Sequence, residues 1–330
     1  MVSVIISNFN GRRFLDRLLN SLRAQRGVTL EIVVVDREST DGSIEYLKAQ
    51  PDVRLVSEPP LSGLVSGYAA GARVAKFPLL FFANEDLWLD PDCLALLAAQ
   101  IQPALRIGIA DPWEWDYHGI RLHHAGVWFE PVPWATNWPW LWRQASFSAP
   151  LRQGDRIPFP CAGAFLIHRD CYEDLGGFDT RFFLDFEDLD LGIRAWQRGW
   201  QCVTVPESHV YHAVGASDTQ VVQAAPQPVG RRRYISNRSN LFVLPLKTFS
   251  APWVPLALLS WFLALAGNVA RGRWNRALWD FSVLENVRRR LPELLTFRRA
   301  NSSYNHYFPG ERFFQLPEFQ RRNDSGPARE

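Results

Sequence analysis

The chain has 330 residues, 47% hydrophobic and 13% aromatic, enough apolar material for one large packed α/β domain with an appendage; an intrinsically disordered chain is excluded. Its 36 basic and 34 acidic residues leave a formal net charge of +2, which argues against a uniformly basic nucleic-acid binder, so no nucleic-acid partner is expected. The charge is unevenly spread: residues 1–230 carry 19 Lys/Arg against 27 Asp/Glu and residues 231–300 carry 13 against 3, so an acidic body precedes a segment of local charge +10. Four cysteines, Cys93, Cys161, Cys171 and Cys202, include no Cys-x-x-Cys pair, which fits neither a disulfide framework nor a zinc ligand set and points to a reducing cytosol. Met1 runs directly into a strand-like segment without the pattern of a secretory leader, so export is not expected.

In chain order, Val2 to Ile6 is a short β-branched run, and Phe14, Leu15, Leu18, Leu19 and Leu22 follow at helical spacing. The apolar run Ile32 to Val35 predicts a strand buried on both faces, as in a parallel sheet covered by helices. The pattern repeats: a helix over Ser43 to Gln50, a strand over Val53 to Val56, a helix over Leu64 to Lys76 and a buried strand over Leu79 to Phe82. Asp90 is a suitable N-cap and Pro91 a suitable first helical residue, predicting a helix to about Ile101. Residues 111–160 are rich in Trp and Pro and read as irregular strands and loops. Leu184 to Arg198 reads as a helix ended by Gly199. Beyond Arg231, arginine clusters alternate with apolar stretches, among them the 23 uncharged residues between Lys247 and Arg271. Residues 251–270 approach the length of a membrane span, but their two prolines and Asn268 do not favour one. Trp274, Ala277, Leu278, Phe281 and Leu284 recur at helical spacing among Arg273, Arg276 and Arg288 to Arg290, the profile of an interfacial helix drawn to anionic lipid; the alternative is an arm packed on the body or on a second copy in a homodimer. There is no internal repeat.

Ligands of open parallel sheets bind beyond the carboxyl ends of the strands, which directs attention to Ser7, Asn8 and Asn10, to Asp36, and to Asn84, Glu85 and Asp86. Neither Gly-x-Gly-x-x-Gly nor a P-loop is present, which argues against a dinucleotide dehydrogenase and a P-loop enzyme. A diphosphate would then need another counter-charge, and a divalent cation on Asp86 would supply it. The plainer reading of Asp36 and Asp86 is a pair of solvated turn residues.

The opening Val2-Ser3-Val4-Ile5-Ile6-Ser7-Asn8-Phe9-Asn10-Gly11, followed by Glu31 to Asp36 and Ser39-Thr40-Asp41-Gly42-Ser43, resembles family 2 glycosyltransferases of the GT-A fold. Gly163-Ala164-Phe165, Gly176-Gly177-Phe178-Asp179, Phe182-Phe183 and Phe186-Glu187-Asp188-Leu189-Asp190-Leu191 resemble the acceptor half of the same family, in the spacing of its rhamnosyltransferase-like members. The resemblance implies a nucleotide-sugar half over residues 1–110, an acceptor half over 111–230 and a basic, apolar helical region over 231–330, the first two sharing a mostly parallel central sheet. It implies donor contacts from Ser7, Asn8, Asn10, Asp36, Glu38, Asn84 and Glu85, acceptor contacts from Gly163, Ala164 and Trp138, a Mn²⁺ or Mg²⁺ ion on Asp86 and His212, and a base at Asp188 or Glu187. Asn84 stands for the first Asp of Asp-x-Asp, and Arg37 and Glu38 replace small polar residues. No Gln-x-x-Arg-Trp is present, so single sugar addition is expected rather than polymerisation.

The chemistry asks for the same residue types. An inverting transfer needs a carboxylate to take the acceptor hydroxyl's proton, and Asp188 between Glu187 and Asp190 has like charges to tune it. Asp188 otherwise reads as a carboxylate favoured by a helix N-terminus, and His212 as a loop hydrogen-bonder beside His209. His123 and His124 face opposite ways on a strand and read as structural or acceptor-pocket residues, and Trp134 to Trp142 as a wall for a sugar ring or as plain core. The expected function is transfer of one sugar, rhamnose being one candidate, from a dTDP- or UDP-linked donor to a glycan or lipid-linked acceptor, in cell-surface polysaccharide synthesis at the cytoplasmic face of the membrane. The alternatives are another hexose or N-acetylhexosamine, or a sugar-nucleotide or glycan-binding module without turnover.

Overall fold

A computed structural model describes residues 1–59, 63–131, 142–146, 151–213, 228–248 and 253–300. The first half alternates β1 (Val2–Asn8), α1 (Arg12–Arg23), β2 (Leu30–Asp36), α2 (Ser43–Lys48), β3 (Val53–Ser57), α3 (Leu64–Val74), β4 (Leu79–Asn84), β5 (Leu87–Leu89) and α4 (Cys93–Gln100). After a 3₁₀ turn at Pro103–Leu105 come β6 (Ile107–Asp116), β7 (Leu122–His124), β8 (Val127–Pro131), β9 (Trp142–Ser146), β10 (Arg156–Ile157), β11 (Ala164–His168), α5 (Arg169–Asp174), α6 (Glu187–Gln197) and β12 (Gln201–His212). Three helices close the described chain: α7 (Pro228–Thr248), α8 (Trp253–Ala270) and α9 (Trp274–Ala300).

The apolar runs behave as their pattern dictates. All seven residues of β1 are buried, and the apolar stripe of α1, Phe14 to Leu22, packs under the sheet with Val4, Ile6 and Val34. The main sheet runs β10-β12-β6-β11-β4-β1-β2-β3, with β5 added to β12 and β7 to β6. Its β3, β2, β1 and β4 strands are parallel, as the alternation of strand and helix requires. The other half is mixed: β11 lies antiparallel between β4 and β6, and β12 parallel to β6. Because β11 runs backwards, its first residue, Ala164, faces Ala83 near the end of β4, so residues 161–163 lie where β4 and β6 end.

Three elements differ from the sequence expectation. The stretch after residue 107 begins with a regular ten-residue strand, β6, in the interior of the sheet. Pro112 is tolerated there because the pairing with β12 shifts register between Val205 and His209, opposite the Pro112–Trp113 step. Helix α4 begins at Cys93, not after Asp90: the Asp90 carboxylate is taken by His209 and Tyr211, and that of Asp92 by Arg26. Helix α6 starts at Glu187, because Asp185 and Phe186 are both left-handed, with φ of 67° and 74°.

No helix among the described residues is long and apolar enough to cross a membrane. Helices α7 and α9 instead close the core, with Phe242, Val243, Leu244, Val283, Val287 and Leu294 in one apolar cluster with Phe165 of β11 and Leu191 of α6. Lys247 of α7 is 1% exposed and meets Asp179 at 2.9 Å and Asp190 at 2.7 Å. Asp190 also receives Arg194 at 2.6 Å and Asp179 receives Arg181 at 2.6 Å. Burial alone would raise the Asp179 carboxyl, but Arg181 and Lys247 hold it well below the usual carboxylate range. Breaking such a buried pair costs about 3–5 kcal/mol, so α7 is held to α6 by charge as well as by apolar packing.

Candidate active site

At the ends of β1 and β2 the side chains form a closed network. Asn8 Nδ2 donates to Asp36 Oδ2 at 2.6 Å, and the Ser39 amide and hydroxyl both donate to the Asp36 carboxylate at 2.8 Å. Asn10, left-handed at φ 56°, donates from its amide to Ser39 Oγ and accepts the Thr40 amide. Asp36 is therefore buried and nearly saturated by protein donors, and its first task is to hold the strap of residues 36–40. Beside it, three buried polar atoms have no partner: Ser7 Oγ, Asn8 Oδ1 and Arg37 Nε. Unsatisfied buried groups gathered at one strand end are the signature of a polar ligand site. Glu38 is exposed and left-handed, while Glu85 is buried, accepts the Phe9 amide, and is pushed up to about 7 by burial and the Asp86 charge, with Arg37 opposing.

The end of β4 meets β12. Asp86 Oδ1 lies 3.0 Å from His212 Nε2, and His212 Nδ1 lies 2.9 Å from Glu114 Oε1 on β6. Burial would lower the imidazole, but the two carboxylates raise it to about 10. Asn84 is not free to bind alongside: its Oδ1 accepts the Tyr68 hydroxyl at 2.7 Å and its Nδ2 lies 3.5 Å from His212 Nε2. Burial and nearby carboxylates hold Tyr68 well above its ordinary value, so it keeps the proton it donates. Among the described residues no group of three or more His, Cys, Asp and Glu side chains could hold a metal. Asp86 and His212 nevertheless fit a divalent ion as a pair. Asp86 would supply a carboxylate oxygen and His212, once its proton is displaced, an imidazole nitrogen, with Glu114 behind Nδ1 to orient the ring.

The third group sits at the start of α6. Glu187 is 3% exposed with Oε2 unpartnered, while Asp188 is half-buried and accepts the Leu189 amide at 2.7 Å and the Ala162 amide at 3.2 Å. Burial raises both carboxyls. Asp188 is raised to about 6, restrained by its two amide donors, whereas Glu187, burdened also by the Asp188 charge, lies well above the carboxylate range. Burial therefore favours the protonated form of Glu187 more strongly than that of Asp188.

Residues 161–163 tie these parts together. The Cys161 amide donates to Asp111 Oδ1 at 2.8 Å, its thiol lies 3.3 Å from Glu114 Oε2, and Gly163 accepts the Asn84 amide at 2.9 Å. A Cβ on Gly163 would stand 2.6 Å from Glu114 Oε2 and 3.2 Å from His212 Nδ1, so any side chain there would have to displace the Glu114 carboxylate. His124 closes the floor by pairing with Asp111 at 3.0 Å, and His123 is exposed. Two of the expected acceptor contacts are not seen at an open face. The Ala164 methyl is buried in the core with Ala83 and Leu166, so it lines no open face, and Trp138 lies outside the described residues. Glu114, Asp111 and Tyr68 are absent from the sequence expectation; the Trp-Glu-Trp alternation would turn the tryptophans inward, whereas β6 buries Glu114 and leaves Trp113 and Trp115 half-buried.

Comparison with known proteins gives a consistent result. Residues 3–176 match the family model described as "Glycosyl transferase family 2". The chain is 27% identical over 237 residues, 64% of its length and 76% of the relative's, to the N-acetylglucosaminyl-diphospho-decaprenol L-rhamnosyltransferase of Mycobacterium tuberculosis. It is 28% identical over 229 residues to the O-antigen biosynthesis protein RfbC of Myxococcus xanthus, covering 66% of this chain and 17% of that one. The fold is shared with the crystal structure of GalNAc-T7 with UDP, GalNAc and Mn²⁺, at TM-score 0.58 and 21% identity, over 76% of this chain and 48% of that one.

Glu187 gives the site a measurable pH signature. Its raised pKa means that folding retains a proton the unfolded chain releases, so its contribution to stability is complete below the unfolded value of 4.5 and is lost as pH rises toward the folded value. Glu187→Gln removes this dependence, and its melting temperature relative to wild type is expected to rise by a few degrees between about pH 4 and pH 8, following at most about 1.4 kcal/mol per pH unit. A difference that stays flat across thermal scans in this range would show that Glu187 ionises normally.

Proposed function

The chain belongs to glycosyl transferase family 2, and on that premise we propose an inverting transfer of a single sugar from a nucleoside diphosphate donor to a hydroxyl of a glycan or lipid-linked acceptor. The observation that carries the reading is the junction at residues 161–163, where the backbone contacts both Asp188, the ionised carboxylate, and Asn84 in the Asp86–His212 corner. Ser7 Oγ, Asn8 Oδ1 and Arg37 Nε are the free polar atoms offered to the donor. Asp188 takes the acceptor proton: its pKa near 6 leaves it ionised at neutral pH yet a better base than an ordinary carboxylate. Burial raises Glu187, which favours its neutral form beside the incoming hydroxyl. A divalent ion, Mn²⁺ or Mg²⁺, held by Asp86 and His212, would neutralise the charge growing on the departing diphosphate. The likeness to the mycobacterial L-rhamnosyltransferase supports rhamnose as the sugar and a lipid-linked acceptor, and that to the O-antigen biosynthesis protein supports a place in cell-surface polysaccharide assembly; the carrier is read as dTDP or UDP.

The C-terminal helices support a peripheral membrane location. Phe262 of α8 and Trp274, Leu278 and Phe281 of α9 are 54–64% exposed, and Arg271, Arg273, Arg276, Arg288 and Arg289 are exposed on the same helices and the turn between them. Apolar side chains beside guanidinium groups match an anionic membrane surface, with each basic group near it contributing about 1 kcal/mol. The enzyme is read as docking peripherally at the cytoplasmic face, where a lipid-linked acceptor is presented.

Two outcomes are expected. Asp188→Asn should lower transfer by roughly 10²- to 10⁴-fold, with donor affinity in the presence of Mn²⁺, measured by calorimetry, little changed; a crippled Glu187→Gln beside a near-normal Asp188→Asn would reverse the assignment. The full chain should float with phosphatidylglycerol vesicles and be partly released by high salt, whereas a variant with serine at 262, 274, 278 and 281 should stay behind. Equal flotation of the two, or none by either, would assign the face to contact between copies of the chain, which sedimentation of the same variant would register.

A further inference from the structure

The conformation that presents Asp188 is one its own sequence does not favour. Asp185 and Phe186, immediately before Glu187 and Asp188, are two successive left-handed residues; aspartate enters this region more readily than most residues, but phenylalanine does not. L residues hold this conformation where the surroundings impose it.

The imposing groups come from α7, more than fifty residues further along the chain. Asn240, fully buried, donates from Nδ2 to the carbonyl oxygens of Leu184 at 3.2 Å and Asp185 at 3.0 Å. Its own Oδ1 accepts Arg290 Nη1 of α9 at 3.1 Å, which fixes the amide's orientation. One turn earlier, Asn237 Nδ2 donates to Asp185 Oδ2 at 3.0 Å, and Arg233 Nη2 lies 3.7 Å from Asp185 Oδ1. Positions 233, 237 and 240 share one helix face, so a single surface of α7 grips the loop. Were the loop to relax to right-handed backbone, the start of α6 would turn and Asp188 would leave the Ala162 amide.

We propose that Asn240, seconded by Asn237, is a positioning residue of the transfer reaction: it holds residues 184–186 in the left-handed path that aims Asp188 at the acceptor. This rests on the reading of Asp188 as the base. Neither asparagine is placed at the donor or acceptor, so neither is catalytic in its own right.

The test compares full-length Asn240→Ala, Asn237→Ala and Asp188→Asn by steady-state transfer kinetics with thermal unfolding alongside. Positioning predicts that kcat falls by about tenfold or more in Asn240→Ala and several-fold in Asn237→Ala, while the donor KM stays within about twofold, because misplacing a reacting group costs turnover and not ground-state binding. A merely structural tether would lower the melting temperature and leave kcat per folded molecule unchanged. Asn237 is half-buried, so its variant gives the reading if Asn240→Ala does not fold. Wild-type kcat in the folded variants, with Asp188→Asn crippled, overturns the positioning role alone; wild-type kcat in Asp188→Asn overturns the base assignment and the proposal with it.

Discussion

Burying several carboxylates at one end of a sheet is costly unless each is met by a donor or a cation, and that constraint organises this molecule. Asp111, Glu114, Asp86, Glu187 and Asp36 are all buried, and Asp188 half so. Asn8 and Ser39 meet Asp36, while a single stretch of backbone and two histidines meet Asp111, Asp188, Glu114 and Asp86. The amides of Cys161 and Ala162 serve Asp111 and Asp188, His124 serves Asp111, and His212 bridges Glu114 and Asp86. Glu187 receives none of these and has only its own backbone amide, so burial and the Asp188 charge raise it further than Asp188, which the Leu189 and Ala162 amides restrain.

The topology makes this arrangement available. A wholly parallel sheet would bring only strand carboxyl ends to the site. The antiparallel β11 brings an incoming chain there instead, with the amides of residues 161–163 free to point at side chains from β6 and α6. The same end gathers the unpartnered atoms of Ser7, Asn8 and Arg37, so donor and acceptor chemistry share one floor. On the far side of α6, Lys247 and the two asparagines of α7 hold the helix that carries the proposed base, so the basic C-terminal region is packed into the body of the fold and is not a detached tail.

Local patterns were legible where the physics is local. Apolar runs such as Ile32 to Val35 and the stripe of α1 carry their burial in their spacing, and the polar residues after them lie at the strand ends as expected. Asp86 and His212, 126 positions apart, were placed by resemblance and do meet. What was not legible depends on partners distant in sequence. Strand β6 hides behind Pro112 and four neighbouring polar or aromatic residues, because its fitness for the sheet lies in a bulge on β12. Glu114 and Tyr68 gain their roles only once His212 and Asn84 arrive. The late start of α6 carries no glycine to announce it, since the left-handed pair is enforced by α7. Asp90 looked like a cap because nothing in its neighbourhood reveals that His209 and Tyr211 claim it.

The account's central claim, that residues 161–163 couple the metal corner to the base, concentrates on Gly163. A methyl there costs little in backbone conformation but meets Glu114 Oε2 at 2.6 Å and His212 at 3.2 Å, so it must push the clasp apart. Calorimetric titration of Gly163→Ala with a nucleoside diphosphate and Mn²⁺ is the direct measurement. The account predicts at least about a tenfold loss of affinity, the usual consequence of disturbing a group that orients a metal ligand, in a protein that still melts cooperatively near the wild-type temperature. Wild-type affinity in Gly163→Ala would contradict it, and would mean that the corner stands without its strap.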